Sequence, residues 1–302
     1  MNKTTNRFQQ LAIIGSTASG KTSLAIKVAK HINAHILSLD SLSLYKEIDI
    51  VSAKPTLIER KGIHHFGIDV IRPDEDFDVT TFISLYHRVY QTCLEEGKNL
   101  VIVGGTSFYL KMLLEGISTL PTIGQKSKEK TKQLLNNVHK AHAFLYDKDK
   151  AHMSHIETTD RYRIEKALHI YFETCLTPSD YFKENPPIPT IQEILPVYQI
   201  VWDRAILRER IALRTEMMLN DGLIDEICIL ESKYGRQPNC MKSIGIKETL
   251  AYLDGEYDKK MLIEKISTNT ARLAKRQTTF NNSQFENVIK GSLAELEALL
   301  LK

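Results

Sequence analysis

The sequence predicts an α/β fold, a mostly parallel sheet flanked by helices and interrupted by a helical insertion. Three observations predict it. Short apolar runs alternate with helix-periodic segments through the first third of the chain. The segment Gly15-Ser16-Thr17-Ala18-Ser19-Gly20-Lys21-Thr22 fits the pattern GxxxxGK[ST] between one such run and one such helix. Strand-like runs then stop after about Gly116 and return near Leu195.

The elements follow in order. Leu11 to Ile14 reads as a buried parallel strand ending at Gly15. Ser23 to Ile32 has Leu24, Val28 and Ile32 at helical spacing. Ala34 to Leu39 is a second strand, closed by Asp40, and Ile63 to Val70 is expected to be a third extended segment. Phe82 to Glu96 is helical, and Leu100 to Val103 is a strand ending at Gly104-Gly105. Such alternation indicates βαβ units. Pro121 to Lys150 is lysine-rich without strand-like runs, Thr159 to Cys175 is a helix, and Asn185 to Pro189 carries enough proline to be a loop. Leu195 to Trp202 rejoins the sheet. Ala205 to Leu219, Leu223 to Lys233 and Tyr257 to Gln277 are helices, the first two broken at Asp221-Gly222. The expected division is a P-loop NTPase-like core, residues 1–119 and 196–302, with an insertion at 120–195.

Composition narrows the class. Of 302 residues, 42% are apolar and 25% charged, the balance of an ordinary globular protein. The net charge is only +3, from 40 basic against 37 acidic residues, so any nucleic-acid surface must be local. Cys93, Cys175, Cys228 and Cys240 form no CxxC pair and read as free thiols. Met1 to Gln10 is polar, unlike a signal peptide, and no apolar run is long enough to span a bilayer. A cytoplasmic monomer is expected, with no membrane contact.

Several residue groups carry chemistry. In a P-loop the backbone amides and the helix N-terminus meet phosphate charge, Lys21 adds a mobile cation and the Thr22 hydroxyl is placed for Mg²⁺. The motif calls for a diphosphate or triphosphate without specifying a nucleotide. Asp40 lies at the carboxyl end of a strand, where α/β sheets line their crevice. A carboxylate there binds metal or acts as a general base, and a turn or N-cap role competes. Gly104-Gly105-Thr106-Ser107 permits close backbone approach with a hydroxyl beside it, which a plain strand-to-helix turn also does. His64 and His65 are adjacent and point apart on a strand, which favours packing over a shared ion. Arg204, Arg208, Arg210 and Arg214 follow one helix, either gripping phosphates or forming a solvated face. Lys265 to Asn282 holds Lys265, Arg272, Lys275 and Arg276 with no acid, which suits an RNA backbone or merely water.

Taken together, these segments resemble the bacterial tRNA dimethylallyltransferases, the IPP transferase family. The resemblance spans nearly the whole chain in order: the P-loop; Asp40-Ser41-Leu42-Ser43-Leu44-Tyr45; Ala53-Lys54-Pro55-Thr56; His64-His65 with Ile68-Asp69; and Gly104-Gly105-Thr106-Ser107-Phe108-Tyr109. Arg210-Ile211, Arg214, Met218-Leu219, Gly222-Leu223-Ile224, Gly245-Ile246-Lys247-Glu248 and Ala274-Lys275-Arg276-Gln277-Thr278 follow. The resemblance implies transfer of a dimethylallyl group from its diphosphate to the N6 amine of the adenosine 3′ of the anticodon, with Mg²⁺ as cofactor. It implies Asp40 as general base, Thr106 and Lys21 on the diphosphate, and Arg214 in the catalytic region. Asp40 to Ser43, Thr106, Tyr162-Arg163-Ile164-Glu165-Lys166, Lys242, Lys247 and Lys275-Arg276-Gln277 match tRNA-contacting stretches. The chain departs from the family at Ser107, where glycine is usual, and at Phe280, near a usual tryptophan. A P-loop small-molecule or nucleotide kinase is the rival reading. Such a kinase should carry an arginine-rich lid, whereas the insertion's only arginines are Arg161 and Arg163.

Overall fold

In the computed structural model, which describes residues 8–302, the sheet is six-stranded and entirely parallel, in the order β3-β2-β4-β1-β5-β6. The strands are β1 (Gln10–Gly15), β2 (Ala34–Ser38), β3 (His65–Phe66), β4 (Asn99–Gly104), β5 (Val197–Ile200) and β6 (Ile289–Gly291). The central strands β2 and β4 are buried almost throughout, as strands covered on both faces must be. Helices α1 (Lys21–His31), α2 (Val79–Glu95) and α3 (Ser107–Glu115) belong to the first half of the sheet. Ile13, Leu24, Val28, Val101, Ile200 and Leu296 share one apolar cluster on the α1 face.

The extended segment expected at Ile63 to Val70 is a strand only at His65–Phe66. Gly67 has φ 76° and Asp69 φ 56°, left-handed conformations that no strand continues through. A Cβ on Gly67 would stand 2.8 Å from the Ser38 carbonyl oxygen, so the chain turns where β2 comes closest.

Residues up to Leu113 with Ile191–Lys302 form one unit, and Leu114–Thr190 form another. These junctions fall a few residues before the expected ones, because the Ile191 N–H donates to the Leu113 carbonyl (2.9 Å) and fixes both crossings there. The second unit holds α4 (Gln125–Leu134), α5 (Val138–Lys148), α6 (Lys150–Met153), α7 (Arg161–Thr174) and α8 (Pro178–Glu184). Its core gathers Leu135, Leu145, Met153, Ile164 and Leu168. Side chains of Asn137, Asp149, Asp160 and Thr177 cap the four helices from α5 to α8.

The first unit resumes through β5 into α9 (Arg204–Asn220), α10 (Leu223–Tyr234), a 3₁₀ turn at Asn239–Lys242, α11 (Ile246–Leu253) and α12 (Lys259–Gln284). After β6 it ends in α13 (Leu293–Leu300). A further core joins Tyr45, Ile48 and Val51 to Leu219, Leu223, Ile227, Ile246 and Ile266. The loop after Asp40 is thereby packed onto the C-terminal helices.

Candidate active site

The carboxyl ends of β1, β2 and β4 converge on one cleft of about 560 Å³. Thr17 and Ala18 of the phosphate loop, Asp40, Ser41, Leu42 and Thr106 line it from the sheet side. Arg214 and Thr215 of α9, Lys242 to Gly245, Lys247, and α12 from Ile266 to Gln277 complete it. Residues more than two hundred positions apart in the sequence thus share one volume.

The loop Gly15 to Thr22 joins β1 to α1, and Gly20 (φ 89°) leads into the helix. Lys21 folds back so that its Nζ donates to the Ser16 carbonyl at 2.5 Å. Burial disfavours its ammonium and lowers its pKa to about 8; Asp40 opposes that fall and Arg214 adds to it. Thr22 is exposed at the first turn of α1. Across the cleft the Arg214 guanidinium is pushed below its usual range by burial, against the pull of Asp40 and with that of Arg210. One carboxylate therefore faces two poorly solvated cations, and it favours the charged form of each.

Asp40 is held by its own turn. Its Oδ1 accepts the amides of Leu42 (2.9 Å) and Ser43 (3.3 Å). The competing turn role is thus real, but it occupies one oxygen; among the described residues no hydrogen bond reaches Oδ2. Thr106 completes the bend, since the Ser41 amide donates to Thr106 Oγ1 at 3.3 Å. Ser43 is buried and Ser41 exposed, so this family-matched stretch meets the cleft through Asp40, Ser41 and Leu42.

Gln277, matched to a tRNA-contacting stretch, also serves the phosphate loop. Its Oε1 accepts the Thr17 amide at 2.8 Å. A Cβ on Gly105 would stand 2.6 Å from its Nε2, so a side chain there would displace the Gln277 amide from its place beside the loop. Lys242, Lys247 and Arg276 line the cleft, and Lys275 lies exposed on the same helix as Arg276. In the helical unit Tyr162, Arg163 and Lys166 are exposed, with Lys166 Nζ 5.4 Å from the Tyr162 ring centroid. Ile164 is a core residue with no exposed surface, so this stretch reaches solvent through its neighbours. Of the helix-borne arginines, Arg210 and Arg214 turn toward the phosphate loop and Asp40. His64 packs beside His35 and Phe66, His65 is buried with its Nδ1 2.9 Å from the Ile63 carbonyl oxygen, and no metal-holding group of three acidic, His or Cys side chains exists among the described residues.

Sequence reasoning missed Glu226 and gave no role to several residues that it named only as parts of motifs. Glu226 of α10 accepts the amides of Asp49, Ile50 and Val51 at 2.7–3.0 Å, anchoring the loop whose Val51 and Ser52 line the cleft. The nearly buried Lys54 ties the same loop to Asp49 and Asp69. Tyr109 stacks on Phe82 at 4.6 Å, and burial pushes its hydroxyl up to about 12. Only the Gly-Gly-Thr-x-x-Tyr spacing signalled Tyr109, and nothing local signalled Glu226.

The chain matches the IPP transferase family over residues 43–284. It belongs to that family. A tRNA dimethylallyltransferase of Sulfurovum sp. is 66% identical over 295 residues, with 98% of each chain covered. One of Sulfurimonas denitrificans is 55% identical over 97% of this chain and 98% of that one. Among solved structures, a tRNA isopentenylpyrophosphate transferase of Staphylococcus epidermidis superposes with TM-score 0.68 at 30% identity, covering 96% of this chain and 95% of the other. A eukaryotic dimethylallyltransferase superposes with TM-score 0.80 at 24% identity and shares the fold. The family's P-loop-like fold is thus present.

Proposed function

We infer that this protein transfers a dimethylallyl group from dimethylallyl diphosphate to the exocyclic N6 amine of the adenosine 3′ of the tRNA anticodon. The observation that carries this reading is that Asp40 and Arg214 line one cleft between the loop Gly15 to Thr22 and a basic wall, with the buried Lys21 of that loop close enough to interact electrostatically with both.

In the reaction, the bond from adenine N6 to the allylic carbon forms and the carbon–oxygen bond to diphosphate breaks. The N6 proton passes to Asp40, and the electron pair of the broken bond leaves with diphosphate. Adenine's amine is a poor nucleophile because its lone pair is delocalised, so the proton must depart as the new bond forms. Asp40 suits the task because Oδ1 is held in the turn while Oδ2 stays available. Lys21, Arg214 and the loop amides meet the charge that grows on the leaving diphosphate.

Mg²⁺ fits this donor set. The Thr22 hydroxyl at the head of α1 is a hard oxygen ligand that leaves Asp40 to act as the base, and magnesium keeps water and substrate phosphate oxygens instead of a full protein cage. When bound, it supplies further neutralisation of the diphosphate.

On the acceptor side, Lys242, Lys247, Arg272 and Arg276 offer cations for RNA phosphates. Tyr162, Arg163 and Lys166 offer a ring and two more in the helical unit. The adenine must leave its stack to reach Asp40. The test is single-turnover reaction of the purified protein with an anticodon stem-loop and dimethylallyl diphosphate. Diphosphate and an N6-prenylated adenosine are expected in equal amounts. Absence of transfer, with ADP formed from ATP and a small acceptor, would replace this reading by the kinase one.

A further inference from the structure

A loop that turns its amides inward to hold phosphate turns its carbonyls outward, and each outward carbonyl needs a donor. The Ser16 carbonyl has Lys21 Nζ. The carbonyls of Ala18 and Ser19 are met from outside the motif. Arg210 Nε donates to Ala18 O at 2.8 Å, and Trp202 Nε1 donates to Ser19 O at 2.9 Å. The two donors also hold each other, since the Arg210 guanidinium lies over the Trp202 ring at 4.7 Å. Asp203 accepts the amides of Ala205 (2.7 Å) and Ile206 (3.3 Å) and so fixes the start of α9, which aims Arg210 back at the loop.

Ala18 has φ 61°, a left-handed conformation costly for a residue with a side chain. Something must hold the peptide there. If a donor is lost, the Ala18–Ser19 peptides are freer to rotate, and a carbonyl turned inward would face the phosphates it should exclude.

We propose that Trp202 and Arg210 are positioning residues that brace the phosphate loop in its anion-binding form, and that Trp202 reports when that loop is filled. The proposal rests on the phosphate-loop reading above. Trp202 is the only tryptophan of the chain, so its emission is a single-site signal.

The experiment compares the wild-type protein with Trp202→Phe and Arg210→Lys. Calorimetry measures inorganic diphosphate binding with Mg²⁺ present, and tryptophan emission is followed in the wild-type and Arg210→Lys proteins. Arg210→Lys keeps the charge but loses the flat, stacked donor. The expected result is an emission change as diphosphate fills the wild-type loop. Diphosphate affinity should be weaker by about tenfold for Arg210→Lys and about threefold for Trp202→Phe, the usual worth of one or two hydrogen bonds. Melting temperature should fall by only a few degrees, and tRNA affinity should stay at the wild-type value. Both variants binding diphosphate within about twofold of wild type, with an emission that ignores diphosphate, would overturn the brace. A wild-type protein that binds no diphosphate would overturn the phosphate-loop reading first, before any substitution is compared, and the brace with it.

Discussion

The two walls of the cleft are built differently. The wall proposed to hold diphosphate is one continuous stretch, Gly15 to Thr22, a turn of backbone with one lysine folded onto it. The opposite wall is assembled from α9, the segment Lys242 to Lys247 and α12, and its groups are side chains. In the proposed reaction the first wall holds a small anion of fixed geometry, which a short loop can surround. The second, in the same proposal, meets a large polyanion, and its cations are spread over elements that only the fold brings together. Asp40 stands between the walls, and its electrostatic partners come from both: Lys21 from the loop and Arg214 from α9.

That contrast makes graded predictions. The largest effect belongs to the residue between the walls. Asp40→Asn keeps an oxygen for the Leu42 and Ser43 amides, so the turn should survive while the proton acceptor is lost. Turnover at saturating tRNA, diphosphate substrate and Mg²⁺ is expected to fall about 10² to 10⁴-fold, with substrate affinities changed far less. Recovery to within a few-fold of wild type would show that Asp40 only orients a ligand.

Lys21 comes next. Lys21→Met is expected to slow transfer about 10²-fold, as loss of one charge-stabilising donor does. It should also act on stability. The folded pKa of about 8 lies below the ordinary 10.5. Below about pH 8 both folded and unfolded chains carry the proton, and the folded one bears the full penalty of the buried charge. Between about 8 and 10.5 the folded chain sheds the proton first, so the penalty fades as pH rises. The variant should therefore melt higher than wild type near neutral pH, with the gain shrinking across that window. An equal or lower melting temperature near neutral pH would mean that the Ser16 hydrogen bond outweighs the desolvation.

On the side-chain wall effects should be smaller and should separate by substrate. Glu226→Gln sets an N–H₂ group against one of the amides its carboxylate now receives. The KM for tRNA is expected to rise about tenfold, with that for dimethylallyl diphosphate unchanged, because one lost charged hydrogen bond loosens the loop behind Val51 and Ser52. Equal rises in both KM values would place the damage in the fold instead. Lys275→Ala should do least: a few-fold loss of tRNA affinity, and a salt dependence flatter by about one unit of log–log slope. An unaltered slope would remove Lys275 from the RNA footprint.

Legibility in the sequence followed the same division. The P-loop, β1, β2, β4 and the helices after them are local patterns, and an apolar run ending in glycine announces itself. The short strand β6 and helix α13 were not legible. Ile289 and Lys290 are exposed and carry no apolar run, and β6 exists because β5 offers it a paired edge. At Gly67 and Asp69, backbone geometry overrode a strand-like pattern.

By itself the sequence determined the phosphate-loop motif, the mostly parallel α/β class and, through a set of ordered motifs, the family. Those rest on spacings within one turn or one strand, where neighbours in the chain are neighbours in space. Tertiary structure alone decided that Gln277 reaches Thr17, that Arg210 and Trp202 hold the outward carbonyls of the loop, and that Glu226 gathers the amides after Ile48. Each of these joins residues about 175 to 260 positions apart. No local periodicity specifies such a pairing, because what selects it is the packing of α9, α10 and α12 around the loops that leave the sheet.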